Sequence, residues 1–210
     1  MLERGGDQAT GLLTWHLQAP ARVVAIAASE RGVSSHELLW RVRNGCQALQ
    51  MPCTIIEGGP GLGFDECLPG QVWLWHAPAD VLARRWPAED SPPLVGLLAE
   101  PSALVSAYRD LKRLHRVGFN PVLIALPDPN ERTTDASPCP DVRVPTPLMA
   151  ALSALRRTCK THLGWVPTVW TLGYHQERLD ESSEAALLKI LDSAWSLDVT
   201  AVSSEAGRRC

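Results

Sequence analysis

The sequence predicts an α/β fold with a mostly parallel sheet covered by helices on both faces. Three observations predict it. Short apolar runs rich in β-branched residues alternate with stretches in which apolar residues recur near the 3.6-residue helical period. The runs are largely unbroken by polar residues, as strands buried on both faces require. Hydrophobic residues make up 45% of the 210 and charged ones 20%, globular values for one domain with a real core.

In chain order, residues 1–22 read as an extended, mostly polar arm, made flexible by Gly5, Gly6 and Gly11 and closed by Pro20. Its apolar residues Leu12, Leu13, Trp15 and Leu17 fit either a cap on the domain's own core or one face of a helix against a partner. The first strand is the run Val23 to Ala28, followed by a small polar loop, Ser29 to Ser35. A helix over His36 to Gln50 carries Leu38, Leu39, Val42, Cys46 and Leu49 on one face, and Cys53 to Ile56 is the next strand. Together these make a strand–helix–strand unit.

Val72 to Trp75 reads as a strand and Ala79 to Trp86 as a short helix; Ser91-Pro92-Pro93 is a break before a strand over Leu94 to Leu98. A helix from Ser102 places Leu104, Val105, Tyr108, Leu111, Leu114 and His115 on one side, and Gly118 ends it as a C′ glycine. Pro121 to Leu126 is a strand, and six prolines over 127–147 exclude regular structure there. A helix over Pro147 to His162, a strand over Val166 to Leu172 and a helix over Gln176 to Trp195 complete the domain of residues 23–198. The acidic residues Glu177, Asp180, Glu181, Glu184 and Asp192 argue that the last helix packs on the core, since anionic lipid would repel it. Residues 199–210 read as a disordered tail.

The loop after the first strand is where an α/β fold binds phosphate, because free backbone N–H groups and the positive end of the helix point there. A working P-loop adds glycines, a lysine for the β- and γ-phosphates and a Ser/Thr for Mg²⁺. This loop holds one glycine, Gly32, and no lysine occurs before Lys112. The architecture fits a nucleotide fold, and the residues that would use a nucleotide are missing.

The segment Asp7-Gln8-Ala9-Thr10-Gly11-Leu12, followed by a strand, a tight loop and a helix, resembles the start of the FlhG (FleN) flagellar regulators. These belong to the MinD/ParA branch of the P-loop ATPases, whose members read DQAxGLR and then a KGGxGKT-type loop. Laid over that loop, Glu30 stands at the signature lysine and Arg31 at a glycine, followed by Gly32, Ser34, Ser35 at the phosphate-binding lysine and His36 at the Mg²⁺-binding threonine. Ile55 to Leu62 is similar to the family's LLDADLGL segment, with Glu57 its acidic remnant. Val72 to Ala79 is similar to the Walker B strand, with His76 near the expected Asp. Leu97 to Tyr108 and Leu163 to Pro167 match two further segments in the right order, while the stretch between Glu57 and Val72 is shorter than the family's.

The resemblance implies a three-layer, P-loop NTPase-like sandwich of the MinD/ParA type, truncated and degenerate. It implies a non-catalytic regulator of flagellar assembly or number with no cofactor, since the ATP and Mg²⁺ residues are replaced. Its partner would be an FlhF-type, signal-recognition-particle GTPase docked by Asp7, Gln8, Ala9, Gly11 and Leu12, with Leu13 in place of the usual Arg. A diverged but weakly ATP-binding relative in cell positioning or partitioning, and an unrelated α/β binding domain, are the competing readings.

Other classes are excluded or set aside. A net charge of −3 gives no reason to expect a nucleic-acid binder. No apolar run approaches the roughly 18 residues of a membrane span. The first residues lack the order of a signal peptide, so a cytoplasmic bacterial protein is expected, brought to the cell pole or membrane through a partner. Cys46, Cys53, Cys67, Cys139, Cys159 and Cys210 form no CxxC pair and read as packed, reduced thiols. His36, His76, His115, His162 and His175 are scattered; His36 with Cys46 or Glu57 is weighed as a metal site and no metal is expected. Eight tryptophans read mainly as core filling.

Overall fold

The computed structural model describes residues 20–29, 32–58, 67–87, 90–128, 146–174 and 180–197. The chain runs β1 (Ala21–Ala28), α1 (Val33–Ala48), β2 (Cys53–Glu57), β3 (Val72–Pro78), α2 (Ala79–Arg85), β4 (Leu94–Leu97), α3 (Pro101–Arg116), β5 (Val122–Ala125), α4 (Pro147–Leu163), β6 (Thr168–Thr171), α5 (Glu181–Asp192) and β7 (Trp195–Leu197). The strands form one sheet in the order β2-β3-β1-β4-β5-β6, all parallel. β7 runs antiparallel to the first residues of β1, from Ala21↔Leu197 to Val23↔Trp195.

Side-chain alternation along the strands divides the core in two. On one face Val23, Ala25 and Ala27 of β1 and Leu123 and Ala125 of β5 pack with Leu82 of α2, Leu111 and Leu114 of α3 and Leu155 and Cys159 of α4. On the other face Val24 and Ile26 of β1 and Ile124 of β5 pack with Leu38, Val42 and Cys46 of α1 and Leu187 and Ile190 of α5. The result is the three-layer α/β sandwich that the alternation of strand and helix predicts, consistent with a P-loop-like arrangement. Trp73, Trp75 and Trp86 are core residues, and the Trp86 ring lies 5.9 Å from Trp75 and 5.7 Å from Trp195.

Several expectations need correction. The first helix starts at Val33, so Ser34 and Ser35 belong to its buried first turn and not to a loop. A left-handed Gly32 (φ 74°) reverses the chain in one residue, which no periodicity reveals. β1 and β2 are parallel but not neighbours, because β3 lies between them. The last helix ends at Asp192, and Trp195 sits in β7, whose three residues pair with β1 too briefly to carry a period-2 signal. Val105 is 50% exposed, at the rim of the apolar face of α3. Of the expected arm over residues 1–22, Ala21 and Arg22 open β1, while residues 1–19, most of the proline-rich stretch and the expected tail lie outside the described residues. Among the described residues no helix is long and apolar enough to cross a membrane.

Two contacts fix α1 on the sheet. Gly96 of β4 lets the first turn of α1 press on the strands, since a Cβ there would stand 2.6 Å from the Ser34 carbonyl oxygen. The buried Arg41 of α1 ties that helix to the far half of the sheet. Its Nη1 donates to the Leu172 carbonyl at 2.8 Å, its Nη2 to the Pro127 carbonyl at 2.9 Å and its Nε to Glu37 at 2.7 Å.

Candidate functional site

The topology selects one end of the sheet. β1 leads into α1 on one face, while β3, its neighbour, leads into α2 on the other. Adjacent parallel strands whose connections depart to opposite faces leave a crevice at their carboxyl ends, the usual ligand position in open α/β sheets. Ser29, Gly32, the first turn of α1, the end of β2 and the end of β3 meet there.

The loop is closed by its own side chains. Gly32 N–H donates to the Ser29 carbonyl at 2.9 Å, which makes a tight turn. The Ser35 hydroxyl donates to the Gly32 carbonyl at 3.1 Å and accepts from the Ser29 backbone N–H at 3.2 Å. Ser29 N–H is one of the donors that a phosphate loop would aim at its ligand. Here a side chain that is itself fully buried occupies it. Ser35 stands where the resemblance puts the phosphate lysine. It carries no charge and its hydroxyl is held inside the turn.

The next residue faces outward. The exposed His36 ring places Nδ1 2.7 Å from the Gly32 carbonyl oxygen. A carbonyl only accepts, so Nδ1 carries the proton, and in the neutral tautomer this leaves the lone pair on Nε2. Gly32 also makes room for this ring, since a Cβ there would come within 2.9 Å of Nδ1.

Register brings two more residues to the same place. His76 of β3 pairs with Ile26 of β1 on one side and with Glu57 of β2 on the other. In a parallel ladder paired residues share a face, and Ile26 and Leu74 lie on the α1 side of the sheet. Glu57, His76 and the first turn of α1 therefore converge. The rings of His36 and His76 are 4.9 Å apart at 66°. One ligand-type atom from each of His36, Glu57 and His76 lies within 4.8 Å of the other two. His36 and Glu57 are exposed and His76 is buried, and His76 Nε2 has no hydrogen-bond partner among the described residues. Burial pushes the His76 imidazole below its ordinary pKa, nearby His36 pushes it further, and Glu57 opposes both.

Of the residues singled out from sequence, Gly32, Ser34, Ser35 and His36 lie together at this crevice. Glu30, Arg31 and the segment Asp7, Gln8, Ala9, Gly11 and Leu12 lie outside the described residues. Sequence reading weighed His36 with Cys46 or Glu57 as a metal site, expected no metal, and did not join His76 to them. The signal that could have joined them is strand order, since they meet only once β3 is inserted between β1 and β2. A scan against protein-family models and a search of curated proteins return no match for this chain.

Proposed function

We propose that this chain is a non-catalytic, FlhG-like regulator that acts by binding. Its α/β body carries an N-terminal DQAxGL arm, and Asp7, Gln8, Ala9, Gly11 and Leu12 dock on an FlhF-type GTPase to control flagellar assembly or number. The observation that carries this reading is Ser35. At the position where a MinD/ParA-type ATPase would hold its phosphate lysine, a buried serine closes the loop on Ser29 N–H and the Gly32 carbonyl. A loop that satisfies its own donors offers a triphosphate little, and the neighbouring His36 and His76 are poor substitutes for the oxygen ligands Mg²⁺ prefers. The arm then works without nucleotide control. Gln8 has the right chemistry to orient an attacking water beside a partner's γ-phosphate.

The test is GTP hydrolysis by the FlhF-type GTPase of the same organism, with and without this protein. Stimulation is expected from the full chain and not from Gln8→Ala or a chain lacking residues 1–20. Absence of both stimulation and binding overturns the partner. A melting point raised by several degrees with millimolar ATP and Mg²⁺ overturns the non-catalytic reading, because a ligand of the native state must stabilise it.

A further inference from the structure

We propose that His36, Glu57 and His76 form a binding site for a divalent first-row transition metal ion, with Zn²⁺ as the committed occupant. The proposal stands apart from the GTPase reading and does not depend on it. Two imidazoles and one carboxylate are a common donor set for such an ion and a poor one for Mg²⁺ or Ca²⁺, which favour oxygen. The three residues come from three separate elements, α1, β2 and β3, and one ligand-type atom of each already lies within 4.8 Å of the other two. Ligand atoms around a tetrahedral Zn²⁺ sit about 3.3 Å apart, given Zn–N distances of about 2.0–2.1 Å. Binding therefore draws the set inward by at most about 1.5 Å, and the exposed Glu57 side chain can make most of that adjustment while His36 stays on its anchor.

Two independent observations point to a ligand. His76 is only 6% exposed, yet its Nε2 has no hydrogen-bond partner among the described residues. Buried polar atoms are nearly always paired, so this one marks an unmet valence. His36 is prepared in the way metal-binding histidines are. Its Nδ1–H is anchored on the Gly32 carbonyl at 2.7 Å, which fixes the tautomer and leaves Nε2 as a ligand. The exposed side of the cluster leaves a coordination position open to water or to a partner's side chain, as in three-ligand zinc sites.

Titration of the full chain with Zn²⁺, and with Co²⁺ as a spectroscopic probe, tests this. One ion per chain is expected, with a visible Co²⁺ spectrum of nitrogen and oxygen ligation that Zn²⁺ displaces and millimolar Mg²⁺ does not. His36→Gln and Glu57→Gln change exposed residues and should fold normally; each should weaken binding by at least about 10-fold. His76→Gln should abolish it. Should His76→Gln fail to fold, the two exposed variants decide alone. The proposal is overturned if the wild type does not bind, if His36→Gln and Glu57→Gln bind as tightly as wild type, or if Co²⁺ gives an intense sulfur charge-transfer band, which would place the ion on cysteines.

Discussion

Two basic side chains lie buried at the carboxyl end of the same sheet, and the fold treats them in opposite ways. Arg41 sits over β5 and β6, where two carbonyls, the Glu37 carboxylate and the Tyr174 ring, 5.6 Å away, surround its guanidinium. His76 sits between β1 and β2 with a buried Nε2 that nothing among the described residues meets. A guanidinium is a permanent charge, and here all three of its nitrogens are answered. His76 can become neutral, and burial favours that form. The first is a clamp that holds α1 to the sheet. The second leaves a donor atom for something outside the chain.

The largest expected effect tests the clamp. Arg41→Met keeps most of the volume but strands the Pro127 and Leu172 carbonyls and the Glu37 carboxylate. A loss of about 3–5 kcal/mol is expected in urea unfolding. A loss below about 1 kcal/mol would mean that water or a neighbour replaces the guanidinium, and the contrast with His76 would fail. The second test turns the comparison round. In protein stripped of metal, His76→Leu removes an unpaired polar atom and should cost less than about 1 kcal/mol or stabilise. With Zn²⁺ at about 100 times its dissociation constant the wild type should gain about 2.7 kcal/mol while His76→Leu gains nothing. A loss of several kcal/mol in the metal-free variant would make His76 a structural residue like Arg41. A third and smaller effect lies between them in the fold. Ser35→Ala should cost about 1 kcal/mol, because it frees the Ser29 N–H that the hydroxyl now satisfies.

Much of the fold was legible from sequence because local physics decided it. The unbroken runs at Val23 to Ala28 and Leu94 to Leu97 are strands because both sheet faces are covered. The helix from Pro101 stops where Gly118, at φ 98°, turns the chain. What sequence did not show was set at long range. Arg41 lies on the apolar side of α1, and only the ends of β5 and β6, more than 80 residues away, give it partners. His36, Glu57 and His76 are each unremarkable in sequence and meet through the position of β3. β7 was hidden because Trp195 continues the apolar spacing of α5 although the helix stops at Asp192.

The smallest predicted effect separates the two halves of β2. Cys53 opens the strand and Glu57 closes it, about 13 Å apart at the usual strand rise. The Cys46 thiol donates to Cys53, and the nearby Arg43 also favours the Cys53 thiolate, so its pKa is lowered against the opposing cost of burial. Cys46 is pushed the other way, chiefly by the same pairing and then by burial. Burial alone raises Cys67 to about 11 and also raises Cys159. A thiol attacks as its thiolate, so near pH 8 a reagent such as iodoacetamide should modify Cys53 first among these four. Cys46, Cys67 and Cys159 should lag by about 10-fold or more, read site by site by mass spectrometry. As pH rises, the Cys53 rate should level off below the ordinary thiol range, while that of Cys67 climbs until about pH 11. Repeating the reaction with saturating Zn²⁺ connects this result to the opening contrast. An ion held by imidazoles at the far end of β2 leaves the Cys53 rate unchanged. Protection of Cys53 would move the ion onto the Cys46–Cys53 pair, and the unmet valence of His76 would then need another explanation.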